Sequence, residues 1–332
     1  MVTIRDMMPS FELYQPSTIE DALALLDQHG KDAWVMSGGK DSLNWFKDRI
    51  KRPKAVVELT GIEDMKGIRE TAGGIEIGAL TTLTEIETSP LIQAKYRVLA
   101  DAVRRAASPQ IRNAGTIGGN VAQDTRCWYY QDGLPCYRAG GNTCFADTPG
   151  AQNREHALFN ADRCVAVSPS DAAPALLVLE AQFVIRNSGG ERVVEAEDFW
   201  IGPKIDITRM TALKDGDILT AIRVPNTWAG ANFYFEKASD RQTWDFPLVN
   251  VAAAIKTDGG VISAARVAVG AVENRPRLVT GAVTSLPGEQ KGEEIAAIIG
   301  KNSIRGARPL NFNHFKIPLM ENLVKRAIRD AA

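Results

Sequence analysis

Cys127, Cys136, Cys144 and Cys164 are the only cysteines in 332 residues, and they fall in one stretch. Eight, seven and nineteen residues separate them in turn. No Cys-x-x-Cys pair occurs, so structural zinc and thioredoxin-like exchange, which use such pairs, lose ground. Disulfides need an oxidising compartment, which nothing in the sequence indicates. Four thiolates suit a 4Fe-4S cluster, whose soft irons favour sulfur and whose cube takes one ligand at each iron. The other reading is four loop thiols with no joint role. His156 lies between the third and fourth cysteines and is read as a surface or hydrogen-bonding residue rather than a ligand. Trp128, Tyr129, Tyr130 and Tyr137 flank the thiols, either to shield a cluster or to pack the loop, and Arg126 and Arg163 each precede a cysteine as candidate cations beside it.

Two glycine turns are the second chemical signal. They are SGGKDS, Ser37 to Ser42, after a short strand that ends in Val35 and Met36, and AGTIGGN, Ala114 to Asn120, after a helix end. Phosphates bind where backbone N–H groups converge, and glycine permits both the close approach and positive φ. Neither turn matches a Rossmann GxGxxG or a P-loop. A dinucleotide held by two turns from neighbouring units remains open. The three histidines are far apart, and no Ser-His-Asp or Cys-His arrangement is suggested, so acid-base catalysis is not indicated.

The elements that must position these groups read as follows. Ser17 and Glu20 form a capping pattern ahead of a helix that ends at Gly30; Ala33–Met36 and Ala55–Leu59 are strands, and residues 1–60 make a small α/β unit. From 61 to 180 the α/β pattern continues, with a strand at Ile75–Ala79, a helix capped near Thr82 by Glu85, and helices at Val98–Ala107 and Ala172–Leu179. The cysteine segment, 124–170, is rich in Gly, Pro, Asn and Asp and reads as an ordered loop that something must hold. From 181 to 332, hairpins at Gln182–Val194 and Leu248–Val272 and helices at 291–299 and 318–329 predict an antiparallel sheet with helices beside it. The fold class is α+β.

The 45% apolar content is ample for a core, and 39 basic residues interspersed with 40 acidic ones leave no stripe for nucleic acid or an anionic membrane. No run approaches the roughly 20 apolar residues of a membrane span. The start, MVTIRDMMPSFELYQP, has no apolar segment behind a basic one, so the expectation is a cytoplasmic chain, with co-export by a signal-bearing partner as the periplasmic route.

AGTIGGNVAQ and SGGKDS, in that spacing, together with Ser168–Asp171 and the C-terminal portion, resemble the FAD-binding medium subunit of the xanthine dehydrogenase (molybdenum hydroxylase) family over nearly the whole chain. The resemblance implies FAD between the two N-terminal units. Ser37, Gly38 and Gly39 and the backbone around Thr116, Gly118 and Gly119 would cradle the pyrophosphate, with Val35, Met36, Asp41, Ser42 and Ala114 in the same loops and Asn120 and Asp171 bonding nearby. Lys40 stands where the family has a small polar residue and either pairs with a phosphate or projects into solvent. Phe246 to Val249 resembles the segment approaching the flavin ring, Leu248 included, although strand packing explains Leu248 and Val249 equally.

The cysteine segment resembles a cluster-bearing insertion of a minority of these subunits, those of 4-hydroxybenzoyl-CoA reductase, to which the chain leans, and of aldehyde oxidoreductases. The implied partners are a small 2Fe-2S subunit, a large molybdenum-cofactor subunit holding the substrate site, and an external electron donor or acceptor such as ferredoxin, NAD or a quinone. Two other classes stay open: a stand-alone flavin reductase and a zinc-stabilised nucleotide-binding module.

Overall fold

The first helix, Ile19–His29, begins one residue later than the Ser17–Glu20 pattern predicts. Thr18 is its N-cap, and the threonine side chain accepts the Asp21 N–H at 3.1 Å. The extended backbone of Thr18 lets a hydroxyl reach an otherwise unpaired amide of the first turn. Ala22, Leu23 and Leu26 bury the apolar face of this helix. It lies on a parallel sheet of β1 (Glu12–Tyr14), β2 (Ala33–Met36) and β3 (Ala55–Glu58), in the order β1-β3-β2. This is the small α/β unit expected. The computed structural model describes residues 8–332; the reading of the first seven residues as free of an export signal lies outside them.

A second, five-stranded sheet runs β4-β5-β8-β6-β7, every neighbour antiparallel, from β4 (Ile68–Thr71), β5 (Gly74–Gly78), β6 (Gln182–Asn187), β7 (Gly190–Glu195) and β8 (Ile218–Pro225). The pairing therefore crosses the expected boundary between 180 and 181, and the second unit is antiparallel rather than α/β. The reason is backbone accounting. β5 is buried, β4 pairs one of its edges, and the polar groups of the other edge need a strand that the chain supplies only at 218–225. Between β5 and β6 stand the helices that fill this unit. Thr82 and Glu85 form the expected capping box before Leu83–Thr88, and Arg97–Arg104 buries Val98, Leu99, Ala102 and Val103.

The third unit is the antiparallel sheet β12-β11-β10-β9, made of β9 (Asn232–Ala238), β10 (Val249–Asp258), β11 (Val261–Gly270) and β12 (Arg277–Leu278). Helices Glu293–Ser303 and Lys316–Asp330 accompany it. Alternate residues of β10 serve two cores: Val249, Val251, Ala253 and Ile255 join Leu323 and Val324, whereas Ala252 and Ala254 join the core of the preceding units. The period-two geometry of a strand produces this division, and small alanines on the second face let helix Ala172–Val178 approach. The result is the α+β class expected.

Candidate functional site

The two glycine turns meet. Ser37 Oγ lies 2.9 Å from Thr116 Oγ1, and Thr116 in turn caps helix Ile117–Ala122 by accepting the Gly119 N–H at 3.1 Å. A Cβ on Gly38 would lie 1.8 Å from the carbonyl oxygen of Ala114, so only glycine allows this contact. Beside the junction opens a cavity of about 630 Å³. Pockets for small molecules and cofactors span roughly 300–1,000 Å³.

Of the residues expected to hold a cofactor, Val35, Ser37, Gly38, Gly39, Lys40, Asp41, Ser42, Thr116, Gly119, Asn120 and Asp171 line this cavity. Met36, Ala114, Gly118 and Leu248 lie outside the lining. Met36 packs beside Trp45 and Phe46, and Ala114 supplies the oxygen that Gly38 approaches. Gly118 faces Ala79, whose carbonyl an added Cβ would meet at 2.8 Å. The Leu248 N–H bonds the Ala238 carbonyl at 2.9 Å, so this residue extends the β9–β10 pairing.

Several lining side chains are already engaged. Asp171 is buried; Lys237 Nζ donates to its Oδ2 at 2.7 Å and Asn250 Nδ2 to its Oδ1 at 3.0 Å. Burial pushes the Asp171 carboxyl above its usual range, and the Lys237 ammonium opposes that. Asn120 Oδ1 accepts from Ser170 Oγ at 2.7 Å. Asp41 accepts from Trp45 Nε1 at 2.8 Å and pairs with Arg126 at 2.7 Å, and Ser42 accepts from Trp34 Nε1. These side chains build the walls. Lys40 is exposed at the lining and forms no ion pair among the described residues.

The cysteine segment and the loop after β9 supply the rest of the lining. Arg126 was expected beside a cluster; it lines this cavity instead, with its guanidinium 5.0 Å from the Phe246 ring centroid and 5.7 Å from that of Trp45. Trp128, Glu155, Arg241, Trp244 and Asp245 also line it, and no local pattern marks them. Phe246, half of whose surface is covered, also lines the cavity.

All four cysteines line a second, small cavity, together with Tyr129, Tyr130, Tyr137, Arg163 and the buried Arg138. Arg138 is a cation that the sequence reading missed; it pairs with Asp124 and donates to the Ile207 carbonyl at 2.8 Å. Burial pushes the Cys127 thiol up to about 12, and raises those of Cys144 and Cys164. Such thiols stay protonated and inert unless a bound metal displaces the proton. Among the described residues no group of three or more His, Cys, Asp and Glu is placed to hold a metal ion.

Of the two roles expected of His156, surface or hydrogen-bonding, the structure shows the second. The residue is 5% exposed, with Nε2 3.3 Å from Cys127 Sγ, and burial first, then the nearby Lys316, pull it down to about 4. The segment is held by the C-terminal unit. Asn311 Nδ2 donates to the carbonyls of Thr148 and Pro149, Asn313 Nδ2 to those of His156 and Ala157, and Lys316 Nζ to those of Glu155, His156 and Ala271.

A cleft beside two meeting glycine turns, with converging backbone N–H groups, suits a phosphate-bearing cofactor. Known proteins give the family. Residues 9–227 match the FAD binding domain in molybdopterin dehydrogenase, and residues 234–331 match the CO dehydrogenase flavoprotein C-terminal domain. The chain is 28% identical to the carbon monoxide dehydrogenase medium chain of Hydrogenophaga pseudoflava, over 97% of each. It is 31% identical to the aldehyde oxidoreductase FAD-binding subunit PaoB of Escherichia coli (strain K12), over 98% of this chain and 99% of that one. A solved carbon monoxide dehydrogenase from H. pseudoflava, lacking the Mo-pyranopterin moiety of its cofactor, superposes with a TM-score of 0.77 at 27% identity over 98% of both chains.

The chain therefore belongs to the family of FAD-binding medium subunits of molybdenum hydroxylases, and it is an oxidoreductase subunit. The two matched domains divide between 227 and 234, after β8, where the second sheet is complete. No helix among the described residues is long and apolar enough to cross a membrane.

Proposed function

We propose that this chain is the FAD- and 4Fe-4S-carrying electron-transfer subunit of a heteromeric molybdenum hydroxylase of the aldehyde-oxidising kind. The observation that carries it is the pair of cavities: one of about 630 Å³ at the joined glycine turns, the other lined by every cysteine in the chain. FAD fits the first. Gly38 keeps the loops closer than any Cβ would allow, and the turns at Ser37–Gly39 and Thr116–Asn120 would hold the pyrophosphate, with the exposed Lys40 at the lining to pair with it. Phe246 and Trp128 offer flat apolar surface at the ring end. The flavin, when bound, takes up and releases electrons singly or in pairs.

Thiolates suit the second group. A four-iron cube takes one thiolate at each of its irons, and all four cysteines of the chain line one cavity. Arg138 and Arg163 bring positive charge to a site that becomes more negative on reduction. A small 2Fe-2S subunit and a large molybdenum subunit complete the complex, and the large one holds the substrate. The aldehyde kind is preferred to the acyl-CoA reductase kind because of the 31% full-length identity to an aldehyde oxidoreductase subunit.

The test is cofactor analysis of the anaerobically purified complex with low-temperature EPR after dithionite. One FAD and about four irons in this subunit, with the reduced-cluster signal lost in Cys136→Ser, support the reading. FAD without iron removes the cluster from it, and absence of both sinks it. Turnover of aldehydes against aromatic acyl-CoA thioesters separates the two kinds.

A further inference from the structure

We propose that His156 is a positioning residue for Cys127: its Nε2 hydrogen is donated to the cysteine sulfur and raises the reduction potential of the cluster bound there. This deepens the cluster reading above and rests on it. The geometry is specific. Nε2 is 3.3 Å from Sγ, whereas Nδ1 is buried and has no hydrogen-bond partner. A neutral imidazole carries one ring hydrogen. On Nδ1 that hydrogen would be stranded in the interior, at the cost of an unmet buried donor; on Nε2 it meets a sulfur that, as a thiolate, only accepts.

The ring has little freedom to leave. The His156 carbonyl accepts from Asn313 Nδ2 at 3.1 Å and from Lys316 Nζ at 2.9 Å, and the His156 N–H donates to the Asn153 carbonyl at 3.1 Å. Among the described residues, Cys127 is the one cysteine whose sulfur has a side-chain partner at bonding distance. The four ligands are thus unequal.

Reduction adds one electron to the cluster and moves no proton. The added charge spreads onto the sulfurs, so an N–H aimed at one of them stabilises the reduced form more than the oxidised form, and the potential rises. Hydrogen bonds to the sulfurs are among the levers a protein has over such a centre.

The test uses the whole complex, purified anaerobically, as wild type, His156→Phe and His156→Gln. Phenylalanine keeps the ring volume and removes the hydrogen; glutamine removes the ring and keeps a donor. Iron, sulfide and FAD are counted, thermal melting checks the fold, and the midpoint potential is read by EPR-monitored titration with dithionite. The expected result is full iron in both variants, with the midpoint shifted downward in the phenylalanine variant and by less in the glutamine variant.

A phenylalanine variant with full iron and an unshifted midpoint overturns the proposal. So does a variant that loses one iron and shows a three-iron signal when oxidised, because His156 would then be a ligand itself. Should phenylalanine prevent folding, the wild type still decides: pulsed EPR of the reduced cluster must show a proton coupling that vanishes in D2O and is altered in the glutamine variant, and its absence overturns the proposal. Iron missing from the wild type is read before any variant is made; it removes the cluster reading and this inference together, whereas an unshifted midpoint removes only the inference.

Discussion

Gly38 is fixed by an oxygen 76 residues further along the chain, the carbonyl of Ala114, which a Cβ would approach to 1.8 Å. An alanine there must force the two turns apart. Overpacking of this sort costs about 1–3 kcal/mol, and since the displaced groups are the cradle itself, Gly38→Ala is expected to weaken FAD binding roughly 10- to 100-fold. Gly73 is the control, because nothing lies within 4 Å of its added Cβ; Gly73→Ala should leave binding unchanged. Flavin fluorescence titration of the apoprotein measures both. Equal affinities in the two variants would show that the turn contact does not shape the cradle. Gly118→Ala belongs to another case: its Cβ would meet the Ala79 carbonyl at 2.8 Å, away from the cavity, so it is expected to lower the melting temperature before it affects the flavin.

At the scale of elements, the junction of the helix Ala172–Val178 with β9 and β10 turns on one buried ion pair. Asp171, at the start of the helix, receives Lys237 of β9 at 2.7 Å and Asn250 of β10 at 3.0 Å, and Lys237 also donates to the carbonyls of Arg105 and Asp245. Removing one member leaves the other charge buried without compensation, which costs about 3–5 kcal/mol. Lys237→Met is therefore expected to lose about that much in urea unfolding, and the added change Asp171→Asn to restore much of it. A Lys237→Met variant as stable as wild type would mean that the carboxyl is neutral in the fold.

None of this pairing was visible in the sequence. Asp171 was read as a ligand for the cofactor because its neighbours Ser168, Pro169 and Ser170 resemble the family's segment, and the lysine that occupies it lies 66 residues away. What the sequence did show was whatever period and capping express locally: the Thr82–Glu85 box, the hairpins at 182–195 and 249–270, the C-terminal helices and both glycine turns. Strand partners were out of reach. β5 pairs with β8 across some 140 intervening residues, and an alternating pattern announces a strand without saying which edge it will join. The same limit hid Arg126 and Trp128, which flank a cysteine in sequence and yet line the flavin-sized cavity.

For the molecule as a whole, Lys316 is the point at which the cysteine segment and the C-terminal unit are tied. Its ammonium is fully buried and donates to the carbonyls of Glu155, His156 and Ala271. Burial pulls it down to about 7, with Glu155 opposing and Arg154 adding to the pull. In the unfolded chain a lysine titrates near about 10.4, so between about pH 7 and pH 10 the unfolded state holds more protons at this site than the folded one. Stability from this group is thus complete above the unfolded value and is lost as the pH falls through the folded value.

Lys316→Met removes the titration and keeps the volume. The stability of wild type relative to this variant should rise by on the order of 2 kcal/mol from about pH 7 to about pH 9, at a limiting slope of about 1.4 kcal/mol per pH unit. Paired urea titrations across that range measure it. A constant difference would mean that the three carbonyls hold the ammonium charged throughout, with the tie between segment and C-terminal unit insensitive to pH; a rising one would mean that the tie is made at a cost that alkaline solution relieves.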